Sequence, residues 1–222
     1  MGSAILDRTA ATDHPVMEVL AGRWSPRAYD ATAPLDEQKL QSALEAARWA
    51  PSAFNSQPWR FLYSKRGDAN WERFLALLIP WNQGWAHSAS LLIYILSDTL
   101  PFTDKVGQPA TSHSHSFDAG ALVVALKDTD SDAFGTASYD LGQAVAHLSV
   151  QAHHDGLHVH QMAGFDRDAL RAHFGLEERF LPVTVITLGD LGDPELLPDA
   201  LRERESAPRS RRPLAESVLA DA

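Results

Sequence analysis

Two prolines, Pro51 and Pro58, fence the short polar segment Ser52-Ala53-Phe54-Asn55-Ser56-Gln57, and what lies on either side fixes much of the fold. Upstream, Leu40, Ala43, Leu44 and Ala47 recur at i, i+3, i+4 and i+7, with Asp36 placed to cap the first turn. That spacing predicts an amphipathic helix running to about Trp49. Downstream, Trp59 to Ser64 reads as a strand, and Lys65 to Ala69 as a turn. Proline fixes φ, lacks an N–H and biases the preceding residue towards extended backbone. A helix must therefore hand over to a strand across a stiff connector. Its amide and hydroxyl side chains both donate and accept, so they suit either a plain polar loop or the edge of a planar heterocycle.

The rest of the chain alternates between the two periods without strict βαβ order. A helix is predicted from about Pro15 to Leu20, with Val16, Val19 and Leu20 as its apolar stripe and Gly22 as its C-cap. Asn70 or Asp68 can cap a third helix with Trp71, Phe74, Leu75 and Leu78 on one face, ended by Pro80. Trp81-Asn82-Gln83-Gly84-Trp85 then reads as a polar link, and Ser90 to Leu96 as a buried strand. Residues 101–118 read as a long polar loop, and Leu122 to Leu126 suits strand or helix equally. Ala137 to His154 is the longest predicted helix; its stripe of Leu141, Ala144, Val145, Leu148 and Ala152 suits a core or a helix–helix dimer seam. A strand from Leu157 to Met162, a helix from Asp166 to Phe174 stopped by Gly175, and a strand from Pro182 to Leu188 follow. The chain beyond Gly189 reads as irregular. Such mixing points to an α+β fold.

Composition bounds the function. At 222 residues the chain is long enough for one self-sufficient core, expected over 14–222 with a C-terminal extension at 190–222 and a loosely held arm at 1–13. A formal charge of −10 argues against a nucleic-acid partner. The absence of cysteine excludes disulfides and thiolate chemistry. The N-terminus lacks the pattern of a signal peptide, and the longest apolar run, Leu91 to Leu96, is too short to cross a membrane. The expected location is cytoplasmic.

In so acidic a chain, two arginine groups stand out: Arg23 with Arg27, and Arg209 with Arg211 and Arg212. Guanidinium forks pair bidentately with phosphate, each charged hydrogen bond contributing roughly 1.5–3 kcal/mol. The alternative is a solvated network of surface ion pairs. Histidines form a second constellation: His113/His115, His153/His154 and His158/His160. On a strand, His158 and His160 share a face and could hold a metal, although no H-E-x-x-H occurs and no third ligand has a fixed spacing. Of the six tryptophans, Trp71 reads as core, whereas Trp81 or Trp85 could floor a pocket.

Four segments in order decide between these readings. The stretch Ala46 to Phe61 resembles the A-x-x-A-P-S-x-x-N-x-Q-P-W-x-F signature of the FMN-dependent nitroreductase family. Arg23-Trp24-Ser25-Pro26-Arg27, His160-Gln161-Met162-Ala163-Gly164-Phe165-Asp166 and Arg209-Ser210-Arg211-Arg212-Pro213-Leu214 match it elsewhere. The resemblance implies a nitroreductase-like FMN-binding fold: an antiparallel-dominated sheet flanked by helices, in an intertwined homodimer with flavin sites at its interface. It implies that Arg23, Trp24, Ser25 and Arg27 contact FMN, and that Arg209 and Arg211 bind its phosphate. Pro51, Ser52, Ala53, Asn55 and Gln57 would reach the flavin of the partner subunit. Asn82 would read the ring edge, and the backbone at Met162, Ala163 and Gly164 would approach the ring. Ala163 stands where other members carry an acidic residue, so a backbone N–H would take that role. The implied activity is ping-pong reduction, by NADPH or NADH through FMN, of a nitroaromatic, quinone or similar small-molecule acceptor, with no protein acid or base and no metal. Another flavin reaction on the same fold, or a flavin-binding module without catalysis, remains open.

Overall fold

A computed structural model of the chain describes Leu6, residues 8–98 and residues 136–218. The segments 101–118 and 122–126, with His113 and His115, lie outside the described residues. Four strands form one antiparallel sheet: β1 (Trp59–Lys65), β2 (Leu91–Asp98), β3 (His158–Met162) and β4 (Phe180–Gly189), in the order β1-β2-β4-β3. All eight residues of β2 are buried, the mark of a strand covered on both faces. Its alternation separates two cores. Leu91, Ile93 and Ile95 join one, and Leu92, Tyr94 and Leu96 join the other. Pairing between β2 and β4 shifts after Ile95, so that Leu96 faces Pro182 across an irregularity. A bulge tolerates a proline that a regular ladder would not.

Helix α1 spans Glu18–Gly22 and α2 Glu37–Arg48; α3 spans Trp71–Ala76 and α4 Pro80–Ala86. Then come α5 (Thr136–His154), α6 (Arg167–Phe174) and α7 (Asp199–Ser206). Asp36 caps α2 by accepting from the Gln38 and Lys39 amides, and Leu40, Ala43 and Ala47 are fully buried. The stripe on α5 packs against α2 and the sheet within its own chain, so Leu141, Ala144, Val145, Leu148 and Ala152 are core. Helices α3, α4, α6 and α7 cover the opposite face. Asp166 accepts from the Ala169 amide, and Gly175 closes α6 at φ 57°, the left-handed geometry that favours glycine.

Three expectations need correction. Helix α1 starts at Glu18 instead of Pro15 and ends on Gly22, with Arg23 as the capping residue. None of its residues is buried within the single chain. Pro80 does not end a helix but opens one: it sits at the first turn of α4, where its missing N–H is harmless, and Ile79 before it is extended. Residues 81–85 are therefore helical, with Asn82, Trp85 and Ala86 inward at i, i+3 and i+4. The chain beyond Gly189 includes α7, which seats Leu201 and Glu205 in the interior.

Candidate functional site

The turn after α1 and the segment after α7 meet in a cleft of about 150 Å³. Arg8, Arg23, Arg27, Arg204, Arg209 and Arg211 line it, together with Trp24, Ser25 and Glu205. Six of the chain's 19 basic residues thus converge in a protein of formal charge −10. Among the described residues only one carboxylate lines the cleft, and Arg27 pairs with it: its Nη1 lies 3.6 Å from Glu205 Oε2. Among the described residues Arg23 has no ion-pair partner. Burial, and then the Arg211 charge, holds its guanidinium below the ordinary value. Arg209 is lowered likewise by burial and then by Arg23, Arg211 and Arg8. Crowded, uncompensated guanidiniums cost free energy until an anion enters.

The backbone of the loop is held by side chains from elsewhere. Arg209 donates through Nη1 to the carbonyls of Arg8 and Ala21, and through Nη2 to that of Arg23. His160, buried on β3, shares its Nδ1 proton between the carbonyls of Ser25 at 3.1 Å and Pro26 at 2.9 Å. Burial holds the ring neutral, and the two carbonyls then place its one proton on Nδ1. Its ring packs on Trp85, 4.7 Å between centroids. Glu205 Oε1 accepts from the amides of Arg27 at 2.7 Å and Ala28 at 3.1 Å.

Two residues beyond His160, β3 ends at Met162 and the chain turns through Ala163 and Gly164. The Gly164 carbonyl accepts from the Ile79 amide at 3.1 Å and from Asn82 Nδ2 at 3.1 Å. Asn82 is thereby locked, with its Oδ1 left to accept. A Cβ on Gly164 would lie 2.7 Å from Asn82 Nδ2 and 2.7 Å from Ile79 Cδ1, so any larger residue would force those side chains to move. Trp81, next to Asn82, is 49% exposed, with the Arg204 guanidinium 5.5 Å from its ring centroid. Trp81 and Arg204 thus join this turn to the basic cleft. Trp85, by contrast, is a core residue, and so is Trp71.

Pro51, Ser52, Ala53, Asn55 and Gln57 do not line the cleft. They dock instead on α5, where the Ala53 amide donates to the buried Asp140 carboxylate at 2.9 Å. Ser52 Oγ accepts from the Gln57 amide, and Gln57 Nε2 donates to the Asn55 carbonyl. Asn55 and Gln57 hold φ of 57° and 48°, the only non-glycine residues among those described in the left-handed region. Asparagine tolerates this; glutamine does so at a cost, and such strain gathers at ligand-contacting loops.

Sequence reasoning missed Arg8, Arg204 and Glu205. Arg8 and Arg204 stand in no motif, and a buried glutamate is legible only once its partners are known. The histidines form no metal centre among the described residues, where no group of three or more His, Asp or Glu could hold an ion. His160 spends Nδ1 on carbonyls, and His158 lies edge-on against His153, 5.1 Å between centroids.

The sheet, its helices and this arginine cleft define an α+β protein with a strongly cationic cleft. A model of the nitroreductase family matches residues 20–190, and the chain belongs to that family. A solved oxidoreductase containing FMN is 33% identical, covers 96% of this chain and 95% of its own, and superposes with a TM-score of 0.77. A nitroreductase family protein from Streptococcus pneumoniae shares the fold at 21% identity and a TM-score of 0.69, over 92% of this chain and 98% of its own. The Bacillus subtilis protein YdgI, provisionally designated an NAD(P)H nitroreductase, is 26% identical over 80% of this chain and 88% of its own. The CLA biosynthesis enone reductase of Lactiplantibacillus plantarum is 24% identical over 80% of this chain and 86% of its own. No described helix is long and apolar enough to cross a membrane.

Proposed function

We propose that this protein is an FMN-dependent oxidoreductase that uses NADPH or NADH to reduce a small electron-poor acceptor, a nitroaromatic or quinone, in two half-reactions. The observation that carries this reading is the arginine cleft, whose uncompensated charge fits a phosphate, beside the locked Asn82–Gly164 turn. Arg23 and Arg211 would face the phosphate, while Arg209 commits three hydrogen bonds to backbone carbonyls. Trp24, Ser25 and Arg27 complete that wall. Asn82 Oδ1 and the backbone at Met162, Ala163 and Gly164 would orient the ring, Ala163 offering only its main chain. FMN held there would supply the hydride chemistry that links the nicotinamide to the acceptor. The protein's part is to bind, orient and exclude water. Trp81, exposed beside Asn82, offers the face on which a flat acceptor stacks.

The reading includes a homodimer. Val16, Met17, Leu20, Trp49 and Val218 are large apolar side chains left exposed by the single chain, and α1 buries none of its residues. A partner covering them would bring its own Pro51–Gln57 loop to the flavin. Subunit complementation tests this. An Arg23→Ala chain and an Asn55→Ala chain, each impaired alone, should recover NADPH oxidation when mixed and refolded, because each heterodimer regains one intact site. No recovery would place all contacts within one chain. The enone reductase among the relatives supports a second acceptor class, an activated C=C bond, which product analysis separates from nitroreduction.

A further inference from the structure

The turn from Ala21 to Ala28 belongs to no strand, yet three side chains from two distant parts of the chain, β3 and the C-terminal stretch 205–209, hold it. Arg209 takes the carbonyls of Ala21 and Arg23, His160 those of Ser25 and Pro26, and Glu205 the amides of Arg27 and Ala28. N–H donors, a guanidinium and a neutral imidazole, serve the carbonyls, and an anion serves the amides. Each polarity matches the backbone group it meets. Glu205 is 1% exposed and His160 8% exposed, so neither is placed there to meet solvent. A buried carboxylate is costly unless paired and hydrogen-bonded; here Oε1 accepts from two amides, while Oε2 makes no hydrogen bond and has only the 3.6 Å contact with the Arg27 guanidinium.

We infer that Glu205 and His160 are positioning residues that fix the Arg23–Arg27 loop for recognition of a terminal phosphate, and so make the site select a flavin phosphate over an unphosphorylated flavin. The inference rests on the phosphate reading of the cleft. Glu205 also withdraws Arg27 from the anion by pairing with it, leaving selection to guanidiniums whose backbone is clamped. Two effects of its removal therefore oppose each other. Freeing Arg27 adds positive charge and favours the phosphate, whereas releasing the amides of Arg27 and Ala28 loosens the loop. Glutamine in place of Glu205 separates them, because its carbonyl oxygen can still accept from both amides while its charge is gone.

The test measures binding of FMN and of riboflavin to the apoprotein by quenching of flavin fluorescence, alongside thermal melting of each apoprotein. If the clamp matters, Glu205→Ala loses roughly tenfold or more in FMN affinity with riboflavin little changed, and Glu205→Gln restores the FMN preference. Should Glu205→Ala fail to fold, His160→Leu keeps the packing on Trp85 but removes the donor, and the same loss of preference is expected. A purely structural role would lower the melting point and weaken both flavins equally. That outcome, or a tightening of FMN in both Glu205 variants through the freed Arg27, overturns the inference. If the unaltered protein binds neither flavin, the phosphate reading itself has failed, which is a different result from an intact preference in the variants.

Discussion

Replacing Arg23 by alanine should weaken FMN binding while leaving the empty protein at least as stable as before. The two effects have separate origins. The guanidinium of Arg23 is half-buried and held below its ordinary pKa by burial and by Arg211, and no carboxylate pairs with it among the described residues. In the apoprotein it is a liability, and removing it relieves repulsion of up to about 1 kcal/mol, the scale of a surface charge pair. With phosphate bound, the same group makes a charge-assisted hydrogen bond whose loss costs roughly 1.5–3 kcal/mol, or about 10- to 150-fold in Kd. The backbone contact survives, since Arg209 donates to the Arg23 carbonyl and not to its side chain. Titration of FMN fluorescence at low and high salt gives the affinity, and the melting temperature of the apoprotein gives the stability. An unchanged FMN affinity in both Arg23→Ala and Arg211→Ala would refute the phosphate assignment. A melting point that falls in step with affinity would make Arg23 structural instead.

Two further outcomes follow from the same geometry. Gly164→Ala places a Cβ 2.7 Å from Asn82 Nδ2 and Ile79 Cδ1, so the apoprotein should lose about 1–3 kcal/mol in urea denaturation and bind FMN more weakly; normal stability would mean that the turn can yield. The second concerns pH. Burial lowers His158 and His160 to about 4 from the ordinary 6.5, so the neutral rings favour the fold. The stability they contribute is complete above pH 6.5 and is lost as pH falls towards 4. Between about pH 7 and pH 5 the unaltered protein should lose about 2 kcal/mol more than His160→Leu does, and parallel pH profiles would show that His160 is not held neutral.

Much of this was legible in the chain. The Asp36 cap, the apolar stripe on α5, the α6 boundaries and the mixed α+β class follow from periodicity and capping, which are local properties, whereas the antiparallel sheet is implied only by the family resemblance. The errors share a cause. Pro80 has the same local signature whether it stops one helix or starts the next, and only the inward packing of Trp85 and Ala86 settles which. Helix α7 hid because its inward stripe consists of Leu201 and Glu205, and a glutamate counts as solvent-facing until the Arg27 and Ala28 amides are found beside it. Motifs identified Arg23, Arg27, Arg209 and Arg211 as basic groups. What they could not distribute was the labour: Arg209 ties backbone, Arg27 pairs with Glu205, and Arg23 has no ion-pair partner among the described residues.

The most direct test of the central claim is the visible spectrum of the purified protein, taken under nitrogen before and after adding NADPH and then NADH. The expected result is a flavin band, present as isolated or after incubation with FMN, that bleaches with at least one nicotinamide and returns on adding an electron-poor acceptor. A protein that stays colourless and takes up no FMN would contradict the assignment of the arginine cleft, and with it the proposed chemistry.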